Sequence, residues 1–216
     1  SAGRSAYDRA DSQLDPALID TLLQSIVGSL RAASPLEHLA LLAGLGYALL
    51  AVRRDHRAWV FGALSSGLLA WLAAGAALPL QAMLQSLYVV MAVYGFVRWS
   101  RESANSGALT VRRWPVRAHA LSVLVIMLLT LLVAPTLGRL TGAAWPYLDT
   151  LVTGLSLLAT WLTARAVLEN WLYWFVVNLL SMFLYGSQGL VFVSLLYVAY
   201  FVIAIAGWRS WRRALR

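Results

Sequence analysis

The chain has 216 residues, 61% of them hydrophobic and only 12% charged, where soluble domains run at roughly 45–50% apolar and about a quarter charged. So few ionic groups cannot cover a water-facing shell, which excludes an ordinary soluble domain and makes lipid the expected solvent. The formal net charge of +8 comes from arginine without lysine, and those arginines lie in short loops between apolar runs. They do not form a basic face with interleaved aromatics, so nucleic acid is not an expected partner.

The first 34 residues form a polar arm with four Asp. Within it, LIDTLLQSIVGSL (Leu18 to Leu30) repeats its apolar positions at helical spacing, which predicts a disordered start followed by an interfacial helix. The arm lacks a basic start leading into an unbroken apolar core, so it does not read as a signal peptide.

Seven apolar spans follow: Leu36–Val52, Ala58–Leu78, Leu80–Val97, Ala118–Leu137, Tyr147–Ala166, Asn170–Gly189 and Leu190–Gly207. At about 1.5 Å per residue such segments approach the roughly 30 Å hydrocarbon thickness. Backbone polar groups in lipid must be satisfied within the segment, which makes these helices. With alternating spans, Arg53, Arg54, Arg57, Arg98, Arg101, Arg112, Arg113, Arg117, Arg165, Arg209, Arg212, Arg213 and Arg216 fall on one side, and only Arg4, Arg9, Arg31 and Arg139 on the other. The positive-inside rule then places the C-terminus in the cytoplasm and the N-terminus outside.

The chain also repeats itself. Residues 112 apart match Glu37 with Asp149, Arg53 with Arg165, Trp59 with Trp171, Phe61 with Tyr173 and Ser66 with Asn178. A shift to 109 matches Leu87 with Leu196, Tyr88 with Tyr197, Val89 with Val198 and Trp99 with Trp208. This predicts an all-α integral membrane fold of seven helices, two parallel triple-helix bundles joined by a linker helix (3+1+3). The corresponding units are the arm and interfacial helix (1–34), the first bundle (35–99), a basic loop with the linker helix (100–145), the second bundle (146–208) and a basic cytoplasmic tail (209–216).

Polarity concentrates in the sixth span, ENWLYWFVVNLLSMFLYGSQG. At about 100° per residue, Trp171, Trp174, Asn178, Ser181, Tyr185 and Gln188 share one face, and Leu172, Phe175, Val176, Leu179 and Phe183 take the other. The third span offers Gln81, Gln85, Tyr88 and Trp99 on a similar stripe, and the seventh Ser194, Tyr197 and Trp208. The expected site is therefore Trp171, Trp174, Asn178, Ser181, Tyr185, Gln188, Gln85, Tyr88 and Tyr197, with rings to sandwich a flat heterocycle and amides to bond its substituents. Helix-to-helix hydrogen bonding is the plainer use of such residues, and Trp99, Trp145, Trp208 and Trp211, near span ends, read as an interfacial aromatic belt.

No metal or cofactor is expected: the chain has no Cys, and its three His are scattered. Enzymatic chemistry is not expected either, for want of a carboxylate pair or a nucleophile beside a base. No Arg lies deep in a span to neutralise a phosphate, which argues against a nucleotide cargo. Glu37, Asp149 and Glu169 lie at span ends, where capping or pairing with arginine is the expected role, and no carboxylate sits at mid-span to relay protons.

The WxxWxxxN pattern at Trp171, Trp174 and Asn178, followed by SQG, LLYVAY and GWRSW, resembles the PnuC family of bacterial vitamin transporters, as do Gln85, Tyr88 and YGFVRW upstream. The resemblance covers about Pro35 to Trp211 and not the acidic arm. It implies an inner-membrane facilitator with the architecture of full-length SWEET sugar transporters. Its implied cargo is nicotinamide riboside for NAD synthesis, trapped after entry by a cytoplasmic kinase. Other branches carry thiamine, riboflavin or deoxynucleosides. Asn rather than Asp at 178 favours nicotinamide riboside, with thiamine next. The resemblance further implies a homotrimer.

Overall fold

The computed structural model describes residues 16–215. These form eight helices: α1 (Pro16–Ala32), α2 (Pro35–Val52), α3 (Ala58–Gly75), α4 (Pro79–Ser106), α5 (Val116–Thr141), α6 (Pro146–Ala164), α7 (Asn170–Gly186) and α8 (Val191–Arg213). The predicted disordered start lies outside the described residues, whereas the helix expected after it is α1. The third and seventh expected spans fall short, since α4 continues to Ser106 and α8 to Arg213. The added residues are largely polar and carry Arg98 and Arg101 on α4 and Arg209, Arg212 and Arg213 on α8.

Local chemistry sets the helix ends. Pro35, Pro79 and Pro146 occupy first-turn positions, where a missing N–H costs nothing. Ser34 and Glu37 form a capping box: the Glu37 N–H donates to Ser34 Oγ at 3.3 Å and the Ser34 N–H donates to the Glu37 carboxylate at 2.6 Å. Glu37 thus takes the capping role expected of it.

Five helices, α2, α3, α4, α5 and α8, are long and apolar enough to cross a membrane. The other two expected spans differ for separate reasons. Helix α6 carries a stripe of hydroxyls, among them Ser156, Thr160 and Thr163, and α7 has 17 residues because it stops at Gly186.

Helices α2, α3 and α4 pack in succession, and so do α6, α7 and α8. The two groups meet where α2 touches α8 and α4 touches α6, while α5 packs on α6. The 112-residue repeat is a repeat of backbone as well as of sequence. Left-handed residues end equivalent helices: Arg54 at φ 61° matches Ala166 at φ 55°, and Ala77 at φ 56° matches Gly189 at φ 75°. Apart from glycine this conformation is costly, about 1 kcal/mol or more, so its recurrence at fixed spacing marks a shared supersecondary design.

The same spacing runs through α4 and α8 without the expected shift to 109. Trp99 matches Trp211, not Trp208: both are 0% exposed, and each indole caps the opposite group. Trp99 Nε1 donates to the Ala164 carbonyl at 3.1 Å, and Trp211 Nε1 to the Ala51 carbonyl at 3.0 Å. These two are therefore not belt residues as expected. The Ala164 carbonyl at the C-terminal end of α6 has no helical donor, and the Trp99 indole N–H reaching across satisfies it; the Ala51 carbonyl of α2 accepts from the Arg54 N–H at 3.0 Å as well as from Trp211. Trp145, in contrast, is exposed as a belt residue would be.

The ends of α2, α4, α6 and α8 gather with the starts of α3, α5 and α7 at one pole. There lie Arg53, Arg57, Arg112, Arg113 and Arg165 in loops and Arg209, Arg212 and Arg213 on α8. The 107–115 loop crosses this pole, where the Arg112 N–H donates to the Ala166 carbonyl at 2.9 Å and the Leu168 N–H to the Arg112 carbonyl at 2.8 Å. Glu169 does not pair with an arginine as expected. Its carboxylate accepts from the Trp114 N–H at 3.2 Å and lies 3.9 Å from His119 Nε2, because that same loop brings Trp114 and the start of α5 over it.

Candidate functional site

Between the two groups of helices lies a cavity of about 270 Å³. Its walls come from equivalent positions in both halves, 112 residues apart: Gly44 and Ser156, Ala48 and Thr160, Ala51 and Thr163, Trp59 and Trp171, Gly62 and Trp174, Ser66 and Asn178, Gln85 and Tyr197, Tyr88 and Tyr200. The cavity therefore lies between equivalent positions of the two halves, against the first half of α3 and of α7 and the middle of α4 and of α8. Among the described residues no ionised side chain lines it.

The equivalent positions differ in chemistry, and that gives the cavity its polarity. On α2 the lining residues Gly44, Ala48 and Ala51 are small; on α6 their partners Ser156, Thr160 and Thr163 carry hydroxyls. Thr160 Oγ1 donates to the Ser156 carbonyl and Thr163 Oγ1 to the Ala159 carbonyl, both at 2.8 Å, so the helix backbone satisfies the donors and the oxygens remain as acceptors. Trp174 Nε1 donates to Thr163 Oγ1 at 3.3 Å, which holds the indole as a wall. Its counterpart Gly62 leaves room on the opposite side, occupied by the Tyr47 ring.

Two close approaches support the tryptophan walls. Gly95 on α4 lies directly against the Trp59 ring and Gly207 on α8 directly against the Trp171 ring, so neither position has space for a Cβ. Behind them runs a row of edge-on and tilted indoles, with Trp59 to Trp99 at 5.3 Å, Trp99 to Trp211 at 5.9 Å and Trp211 to Trp171 at 5.5 Å. This row separates the cavity from the arginine-bearing pole. The indole N–H groups of Trp59 and Trp171 and the hydroxyl of Tyr47 are buried without a hydrogen-bond partner, an unusual cost for interior polar groups.

Of the nine residues expected from sequence, Trp171, Trp174, Asn178, Gln85, Tyr88 and Tyr197 line this one cavity. Asn178 is 3% exposed, midway along α7. The remaining three do not reach it. Ser181 is fully buried with its Oγ unpartnered, while Tyr185 stacks flat on Tyr197 at 5.4 Å, beyond the cavity wall. The Gln188 amide donates back to the Leu184 carbonyl at 2.8 Å, since α7 has already ended at Gly186. A helical face drawn over the whole span thus extends past the cavity's depth. Sequence reasoning overlooked Tyr47, Tyr200 and the hydroxyls of α6. The Ser156, Thr160, Thr163 spacing was the available signal for the last. The outward face of α7 behaves as expected, with Leu172, Val176, Leu179 and Phe183 exposed.

A family model described as nicotinamide mononucleotide transporter matches residues 34–213. The nicotinamide riboside transporter PnuC of Escherichia coli K12 is 29% identical over 159 residues, covering 62% of this chain and 66% of that protein. The chain thus matches just under two thirds of that relative's length. The riboflavin/roseoflavin transporter RibM of Streptomyces davaonensis is 27% identical over 132 residues, covering 59% and 61%. In fold, the chain is similar to the crystal structure of the vitamin B3 transporter PnuC, with a TM-score of 0.69, 22% identity and coverage of 94% and 93%.

Proposed function

This chain belongs to the nicotinamide mononucleotide transporter family, and from that premise we propose that it carries nicotinamide riboside across a bacterial inner membrane by facilitated diffusion. The observation that carries this reading is the cavity between the two groups of helices, walled by Trp171, Trp174, Tyr88 and Tyr197 and free of ionised groups among the described residues. Indole and phenol faces hold a pyridinium cation by cation-π attraction, about 0.5–2 kcal/mol per contact. Asn178 and Gln85 suit the carboxamide, and the acceptor oxygens of Ser156 and Thr160 suit ribose hydroxyls. The phosphate of nicotinamide mononucleotide would enter without a guanidinium to meet it, which disfavours the nucleotide as cargo.

Transport on this reading is alternating access with seven crossings. Two triple-helix bundles in a SWEET-like 3+1+3 plan, α2–α4 and α6–α8, rock against each other while α5 links them. The arginine-bearing pole faces the cytoplasm, the N-terminus lies outside, and net uptake follows from phosphorylation of the cargo inside. The reciprocal bonds of Trp99 to Ala164 and Trp211 to Ala51 would part when that pole opens. A homotrimeric assembly belongs to the same reading and is checked by light scattering in detergent.

The test is calorimetric titration of the purified chain with nicotinamide riboside, nicotinamide mononucleotide, thiamine and riboflavin. Saturable binding of nicotinamide riboside, at least about a hundredfold tighter than its phosphate ester, a difference of about 2.7 kcal/mol, supports the reading. Equal binding of the ester overturns the cargo argument. Trp174→Ala and Asn178→Ala should each weaken binding at least about tenfold in protein that stays monodisperse, and unchanged affinity in both would reassign these residues to helix packing.

A further inference from the structure

The two halves depart from their repeat at the arginine-bearing pole. Helix α8 ends at Arg213, the equivalent of Arg101, but α4 runs on to Ser106. The overhang borders an open groove of about 470 Å³ lined by Tyr94, Val97, Arg98, Arg101, Glu102 and Arg112 among others. Tyr94, Val97, Arg98 and Arg101 recur at spacings of three and four residues, so they form one face of α4.

Charge in this groove is unbalanced. Glu102 Oε1 accepts from Arg112 Nη2 and from the Thr110 N–H, both at 3.2 Å, so the single carboxylate is committed to Arg112 and to the loop. Arg98 and Arg101 make no ion pair among the described residues, and Arg98 Nε is buried without a hydrogen-bond partner. One turn towards the apolar part of the helix, Tyr94 and Val97 are exposed. The groove therefore presents cationic forks at its polar end and apolar surface at the other, and the second half differs at the equivalent place: Ser210, the equivalent of Arg98, donates to the Val52 carbonyl at 3.0 Å.

We propose that this groove binds an anionic phospholipid of the leaflet at the arginine-bearing pole. Its phosphate meets the Arg98 and Arg101 guanidinium groups, and its upper acyl chain lies along Tyr94 and Val97. Guanidinium pairs with phosphate through two parallel N–H donors, and a basic pocket beside a membrane-crossing helix is where an anionic headgroup gains most. This inference needs the chain to sit in a membrane but does not depend on its cargo.

The full chain, delipidated in neutral detergent, would be titrated with phosphatidylglycerol, phosphatidylcholine and soluble glycerol phosphate and read by native mass spectrometry. Phosphatidylglycerol should bind at least about tenfold tighter than phosphatidylcholine, and Arg98→Gln/Arg101→Gln should remove most of that preference, about fivefold per arginine. Arg209→Gln/Arg213→Gln, at the same pole, should change it less than about twofold, with an unchanged thermal unfolding midpoint and a monodisperse elution reporting an intact fold. If the first double variant does not fold, Arg101→Glu alone, at an exposed position, should lower the preference by more than the second double variant does. Equal losses in the two double variants would reduce the site to diffuse basicity. Absence of a preference, or glycerol phosphate binding as tightly as the lipid, would also overturn the proposal.

Discussion

Gly207→Ala should destabilise this protein although Gly-to-Ala changes inside helices ordinarily stabilise by about 0.5–1 kcal/mol. The added Cβ would meet the Trp171 ring directly, and that ring can give way only towards the cavity it lines, because Trp211 packs edge-on behind it at 5.5 Å. Overpacking of this kind costs about 1–3 kcal/mol, and subtracting the helix gain leaves a net loss of up to about 2.5 kcal/mol, which corresponds to up to about 10 °C in thermal midpoint for a chain of this size. Trp171 is also a wall of the cavity, so affinity for nicotinamide riboside should fall about tenfold, roughly 1.4 kcal/mol.

The assay is thermal unfolding followed by intrinsic fluorescence, with and without ligand, and Gly67→Ala is the internal control. Gly67 lies within α3 and has nothing within 4 Å of its would-be Cβ, so that change should raise the midpoint or leave it unchanged. Gly95→Ala, against Trp59, should reproduce the loss, and Trp171→Phe should partly rescue Gly207→Ala, a coupling expected of residues in contact. If Gly207→Ala raises the midpoint as Gly67→Ala does, the indole is not wedged and the argument for a rigid cavity wall fails.

Trp99→Phe leaves the buried Ala164 carbonyl without its donor and should cost about 1–3 kcal/mol in denaturation midpoint experiments; Trp211→Phe should cost less, because the Ala51 carbonyl keeps the Arg54 N–H as a donor. Tyr47→Phe removes a buried hydroxyl that has no partner, so the thermal midpoint should hold or rise slightly while ligand affinity, measured calorimetrically, falls about fivefold if the hydroxyl serves the cargo. Ser34→Ala breaks the capping box of α2 and should lower stability by about 1 kcal/mol, with ligand affinity unchanged in the same titration because the box lies at the end of α2 remote from the cavity.

Membrane residence, the order of the helices and the 112-residue spacing through the first two spans of each half were legible in the sequence because each is a one-dimensional property; the shift to 109 was not, since it matched Trp99 with Trp208 where the buried indoles make it match Trp211. Apolar run length, loop arginines and a fixed spacing all survive without knowledge of packing. Trp171, Trp174 and Asn178 were legible as a face for the same reason, since helical periodicity alone aligns them.

Depth and partnership were not legible. The helical face through Ser181, Tyr185 and Gln188 continues beyond the cavity, and only the end of α7 at Gly186 and the Tyr185 to Tyr197 stack set its limit. Likewise, Trp99 near a helix end reads as an interfacial ring until the Ala164 carbonyl is found 3.1 Å from its nitrogen, 65 residues away. The hydroxyl stripe of α6 faces inward only because α4 and α7 pack on that side. Periodicity determined which side chains share a face. Tertiary packing alone decided which faces meet, because the energy of burying an indole or an amide depends on the partner that chain folding brings to it.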